Sequence, residues 1–129
     1  MTREIVLFIN DILNSIKKIE SFSKDLTENE LSSNELKQFA ITRALEIIGE
    51  AAKNIPDSFR NQYKEIPWKD IAGMRDVITH SYFNVDLDIV WRVIQKDLPI
   101  LKNQIQKVKD DLDAEVKKKE EKVSKVKRK

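Results

Sequence analysis

Arg75, Asp76, His80 and Tyr82 fall within eight residues of one another, in the stretch M-R-D-V-I-T-H-S-Y-F at 74–83. His80 is the only histidine among 129 residues, and there is no cysteine. A permanent cation, a carboxylate, an imidazole and a phenol make this the one stretch with a plausible chemical toolkit. At 3.6 residues per turn, positions five apart differ by about 140° around a helix, so Arg75 and His80 do not share a face of one regular helix. Either the helix ends near Thr79, or the long arginine side chain reaches around it. Asp76 and His80 are four apart and can meet. A carboxylate accepting the Nδ1 proton of His80 fixes the tautomer, raises its basicity and leaves Nε2 free for proton transfer. Arg75 brings a planar fork suited to phosphate, and Tyr82 adds a phenolic oxygen.

An imidazole beside a guanidinium, with no thiol to help, fits cleavage of RNA by its own 2′-hydroxyl. A base removes the 2′ proton, an acid protonates the leaving 5′ oxygen, and a cation stabilises the phosphorane between them. That chemistry asks for two proton-transfer groups, while each chain has one histidine. A two-fold homodimer bringing two Arg–His sets to one cleft solves the count. The plainer reading stands beside it: a lone histidine near a helix end can be structural, and Arg–His spacing of five arises by chance.

The elements that must position this stretch read as helices. Hydrophobic residues make up 40% of the chain and charged ones 36%, with two Gly and three Pro, a composition of long helices and short links. At this length one domain with one core is expected. No apolar run reaches the roughly 18–20 residues of a membrane span, and the N-terminal run of five is too short for a signal peptide. The expectation is a cytoplasmic protein with no membrane partner. Absent cysteines remove disulfides and thiol chemistry; with one histidine, no metal site is expected within one subunit. The net charge of +2 is uneven: residues 115–129 carry eight Lys/Arg against three Glu, or +5, which leaves 2 − 5 = −3 on residues 1–114. Nucleic-acid affinity would therefore come from a local patch or from the tail.

Helix one is expected from Thr2, as N-cap, to about Phe22, with Ile5, Ile9, Ile12, Ile16 and Ile19 on one stripe. The polar segment 23–34 reads as a loop or frayed turn. Helix two starts after Ser32, Ser33 or Asn34 and runs to about Asn54, with a small-residue face of Ala40, Ala44, Ile47, Ile48, Ala51 and Ile55. Glu46 and Glu50 lie four apart there, near Arg43; they form a solvated face, or one of them orients Arg75. Pro56 and Pro67 bracket a short helical turn and loop. Pro67 is expected as the first residue of helix three, which runs to about Thr79, and Gly73 as a site of close packing. Asp86 caps helix four, whose Leu87, Trp91, Ile94, Leu98, Leu101, Ile105, Val108 and Leu112 alternate in steps of four and three. That stripe is the core edge of a bundle helix or, alternatively, a coiled-coil seam. Pro99 must disturb the helix, because its ring crowds the Gln95 carbonyl. The fold expected is all-α, an up-and-down four-helix bundle with a short additional helix.

The stretch R-D-V-I-T-H-S-Y-F resembles the R-x4-H-x-Y pattern of the HepT-like members of the HEPN superfamily. L-E-I-I-G-E-A-A-K at 45–53, I-P-W-K-D-I-A-G-M-R-D at 66–76, V-D-L-D-I-V-W at 85–91 and D-L-P at 97–99 extend the resemblance over roughly residues 3 to 110. It implies a HEPN-like (HepT-like) domain at 1–114, with the Lys-rich extension at 115–129 outside it. It also implies a homodimeric toxin of a type VII-like toxin–antitoxin pair, acting as a metal-independent ribonuclease on RNA. Carried over, Arg75 and His80 are the catalytic pair. Tyr82 is the position modified with AMP by a MntA-type nucleotidyltransferase antitoxin, with ATP used by that partner and no cofactor bound by this chain. Asp76 stands at the position after the arginine, where the family has Asn or Asp; Glu46 or Glu50 is a supporting partner of Arg75. The alternatives are a non-catalytic HEPN module binding a nucleotide or the nucleotidyltransferase, and a structural helical dimer with a basic tail.

Overall fold

The computed structural model describes residues 2–78 and 86–127, with the side chains of Thr2, Arg75, Val77, Ile78 and 124–127 outside the description. Every element among these residues is helical: α1 (Thr2–Ser23), α2 (Glu28–Ser33), α3 (Glu35–Asn54), α4 (Asp57–Arg60), α5 (Trp68–Ile78), α6 (Leu87–Arg92), a π-helical turn (Val93–Asp97) and α7 (Leu98–Lys127). The segments α6, π-turn and α7 follow one another without a gap. The described architecture is thus the expected all-α bundle, with four long helical elements and two short ones.

Helix α1 forms because its isoleucines repeat at helical spacing, and it stays because that stripe is buried. Ile9, Ile12, Ile16 and Ile19 are fully buried and Leu13 nearly so. At about 1.5–3 kcal/mol per side chain, these five contribute on the order of 10 kcal/mol of transfer free energy. Their partners are Ile41, Leu45, Ile48 and Ala52 of α3 and Leu101, Ile105, Val108 and Leu112 of α7, in one contiguous core. Thr2 already lies inside α1 rather than ahead of it as the cap.

The segment read as a loop contains α2. Thr27 and Glu30 form a capping box: Thr27 Oγ1 accepts from the Glu30 N–H at 3.2 Å, and Glu30 Oε2 accepts from the Thr27 N–H at 3.4 Å. Leu31, fully buried, pins this short helix to the core. Asp25, in the turn before it, takes the left-handed conformation (φ 59°), which an Asx residue tolerates better than most. Of the three candidates for capping α3, Asn34 is the residue used; its Oδ1 accepts from the Lys37 N–H at 3.0 Å.

The stripe along α6 and α7 faces the core. Ile94, Leu98, Leu101, Ile105, Val108 and Leu112 are buried, and Leu87 and Trp91 are half-buried against the same cluster. That decides the bundle reading over a coiled-coil seam for this face. Asp86 caps α6 as expected, with Oδ1 accepting from the Asp88 and Ile89 N–H groups at 3.2 Å each. Pro99 makes itself felt as the π-turn directly upstream, where the Leu98 N–H reaches back to the Val93 carbonyl. A widened turn accommodates a residue that has no N–H to return and whose ring needs room near the Gln95 carbonyl.

Candidate functional site

Arg75 and Asp76 sit in the last turn of the described part of α5, so the positioning of that helix is what matters first. Its N-terminus is built by the loop after α3. Arg60 of α4 donates its guanidinium to the Ala52 carbonyl, and α4 is anchored by buried Phe59. Tyr63 packs against Phe59 with ring centroids 5.3 Å apart and the planes tilted by 42°, and it donates its hydroxyl to Asp111 Oδ2 on α7 at 2.8 Å. Gln104 of α7 donates to the Glu65 carbonyl at 3.1 Å. Trp68, the first residue of α5, is buried and donates its indole N–H to the Tyr63 carbonyl at 3.0 Å. The loop is thus tied to α3 on one side and to α7 on the other, and it delivers α5 in a fixed register.

The Tyr63 phenol is pushed up from 10.0 to about 12, first by burial, then by its hydrogen bond to Asp111, then by the nearby charges of Asp111, Glu115 and Glu65. It is therefore a neutral donor throughout the physiological range. None of Tyr63, Asp111 and Arg60 carried a role in the sequence reading. Tyr63 and Asp111 are 48 residues apart, and no local pattern links them.

Pro67 is the residue before α5 rather than its first member. Its carbonyl accepts from the Ile71 N–H at 3.0 Å, which is the role of an N-cap. Ile71 is buried and Ala72 half-buried, as the apolar pattern required; Val77 and Ile78 have side chains outside the described residues. Gly73 does not mark a close approach: among the described residues, nothing lies within 4 Å of where its Cβ would stand.

Asp76 is exposed on α5. Helix α5 is intact through Ile78, so Asp76 is presented four residues ahead of position 80 from a helical backbone. The Arg75 side chain, His80 and Tyr82 lie outside the described residues. Glu46 is half-buried on α3 and bound to Arg43, with Nη1 to Oε2 at 3.3 Å. Glu50, one turn on, is exposed. Helix α3 packs directly against α5, so both glutamates lie on the element that neighbours Arg75. No helix among the described residues is long and apolar enough to cross a membrane.

Comparison with known proteins places this arrangement. The family model described as "Ribonuclease HepT-like" matches residues 12–108, from the middle of α1 to Val108 of α7. "Probable ribonuclease HepT" of Thermococcus cleftensis is 41% identical over 102 residues, covering 79% of this chain and 93% of that protein. "Gamma-glutamylcyclotransferase and putative RNase" of Methanocaldococcus jannaschii is 45% identical over 113 residues, covering 88% of this chain; the chain spans about half, 51%, of that protein's length. No solved structure matches the chain. A family match that runs through α3, α5 and the π-turn, joined by a relative matched over nearly its whole length, has one meaning: the chain belongs to the HepT-like family of the HEPN superfamily.

Proposed function

We propose that the chain is a metal-independent ribonuclease whose catalytic pair is Arg75 and His80. The observation that carries this reading is the coincidence of family and motif. The chain belongs to a family described as "Ribonuclease HepT-like", and its one histidine stands five residues after an arginine that lies in the last turn of α5. His80 Nε2 takes the 2′-hydroxyl proton, the 2′ oxygen attacks the adjacent phosphorus, and the 5′ oxygen leaves with a proton returned by an imidazolium. Arg75 holds the charge on the non-bridging oxygens of the phosphorane. Asp76 holds the His80 ring in the tautomer with Nε2 free. Base and acid are two imidazoles, so the working unit is a homodimer with both sets in one cleft. Glu46 or Glu50, on the helix packed against α5, is the supporting partner of Arg75 in this reading.

The same reading gives the chain a switch. Tyr82 lies two residues from His80, and a MntA-type nucleotidyltransferase antitoxin is its partner. The phenolic oxygen attacks the α-phosphorus of ATP, pyrophosphate leaves, and the resulting phosphodiester sets a negative charge beside Arg75. The arginine then pairs with the attached phosphate, and the adenylyl group fills the substrate's place. The pair together constitutes a toxin and its antitoxin.

The test is growth arrest and RNA cleavage by the wild-type, Arg75→Ala, His80→Ala and Tyr82→Phe chains, each with and without the nucleotidyltransferase. Loss of arrest and cleavage in the first two variants is expected, by a factor of about 10²–10⁴ for the histidine. Tyr82→Phe is expected to cleave, to gain no adenylyl mass and to escape silencing. His80→Ala chains that cleave and arrest like wild type would sink the catalytic assignment.

A further inference from the structure

Helix α7 does not stop where the core does. Among the described side chains Leu112 is the last buried one; residues 113–123 are all exposed, and the helical backbone continues to Lys127. Acidic residues precede lysines by four in its exposed part, at Asp113 and Lys117 and at Glu115 and Lys119, a spacing that supports a helix. Lys118 and Lys122 have no acidic residue four positions before them. Lys118, Lys122 and Lys125 follow Asp111 at steps of seven, four and three, which keeps them within about 40° of it around the helix. Lys122 has Lys118 four residues before it, and Lys119 and Lys125 three residues on either side, so its helical neighbours on this face are like charges. That crowding works against the helix, and a bound anion would relieve it.

We infer that this row is a secondary binding site for the sugar–phosphate backbone of single-stranded RNA, an accessory contact that holds a strand whose scissile phosphate lies at Arg75 and His80. The inference rests on the ribonuclease reading for its choice of ligand. Charge is the first reason. Residues 1–114 sum to −3 and residues 115–129 to +5, so a polyanion is repelled by the body and attracted by the tail. Placement is the second. The row continues the face of α7 on which Asp111 holds Tyr63, and Tyr63 in turn holds Trp68 at the start of the helix that carries Arg75. It presents about one lysine per turn over roughly 10 Å. A membrane surface is a poor alternative occupant, because interfacial helices carry Trp, Phe or Leu on the apolar side, whereas the exposed large apolar residues among the described side chains of the extension are Val116 and Val123.

The experiment measures binding of a fluorescein-labelled single-stranded RNA of about twelve nucleotides to the His80→Ala chain, which leaves the strand uncut. The comparison is the same chain carrying Lys118→Gln, Lys122→Gln and Lys125→Gln, substitutions that keep helix propensity while removing charge. Three phosphate contacts at about 0.7 ions each predict a salt slope shallower by about 2, and weakening of up to ~50-fold near 0.15 M salt. With His80 restored, the triple variant is expected to raise KM on long RNA while retaining kcat. An unchanged Kd and salt slope overturn the inference, as does tail-dependent binding of polyglutamate with RNA affinity intact. Cleavage by wild type together with unchanged binding removes the tail site and leaves the ribonuclease reading standing. A chain that neither binds nor cleaves RNA removes both.

Discussion

Tyr63→Phe isolates one of the two hydrogen bonds that tie the α5 entry loop to α7. The substitution deletes one hydroxyl and leaves the ring against Phe59. What is lost is a 2.8 Å bond to a carboxylate, Asp111, that is itself exposed. A hydrogen bond to a charged group contributes about 1.5–3 kcal/mol net when shielded from water; solvent at Asp111 reduces this to about 1 kcal/mol. For a domain of this size, that corresponds to roughly 3–5 °C in Tm. The pH dependence carries the sharper signature. Folding raises the phenol from 10.0 to about 12, so the neutral form is the one the fold favours. Its stabilisation is complete below pH 10 and is lost as pH rises through about 12. Two units would nominally be about 2.7 kcal/mol, again reduced to about 1 at a partly exposed site. The assay is urea unfolding followed by circular dichroism at pH 7, 10 and 11.5. Wild type should lead Tyr63→Phe by about 1 kcal/mol at pH 7, and the lead should shrink above pH 10. In an Asp111→Ala background, Tyr63→Phe should cost almost nothing more, a coupling of about 0.5–1 kcal/mol. Equal stability of the two chains at pH 7, with the same fall above pH 10, would refute the contact's role.

Ile48 is fully buried on α3, the helix that packs on both α1 and α5; Ile48→Ala should cost about 2–5 kcal/mol, read as a lower urea midpoint at an unchanged slope. Thr27→Ala removes the capping box of α2 and should cost about 1 kcal/mol while leaving RNA cleavage at the wild-type rate, measured by thermal unfolding beside a cleavage assay.

The long helices were legible because their apolar residues repeat at helical spacing and face one core. The isoleucines of α1 and the stripe from Ile94 to Leu112 are buried as the pattern demands. Helix α2 was missed for a physical reason: six residues with a single buried anchor, Leu31, make no periodic pattern. Thr27 and Glu30 did spell its capping box, and that local signal was the one to read. Gly73 misled because a glycine in a helix invites a packing explanation that the open space around it does not support. Pro67 and Thr2 were each placed one position off, which is the ordinary uncertainty of a helix end. The candidate site was legible as a set of residue types at fixed spacing. What sequence could not supply was the frame around it, since Tyr63 with Asp111, Gln104 with the Glu65 carbonyl, and Lys102 with Glu20 at 3.0 Å are all contacts between distant positions.

The central claim is that Arg75 and His80 cut RNA through its own 2′-hydroxyl without a metal, and the ends of the products report on it most directly. Wild-type chain purified in chelator should cleave a labelled single-stranded RNA in the continued presence of EDTA, leaving 2′,3′-cyclic phosphate and 5′-hydroxyl ends. Arg75→Ala and His80→Ala chains with unaltered circular dichroism should leave the RNA whole. Products with 5′-phosphate and 3′-hydroxyl ends, or cleavage that stops in EDTA and returns with a divalent cation, would contradict the account.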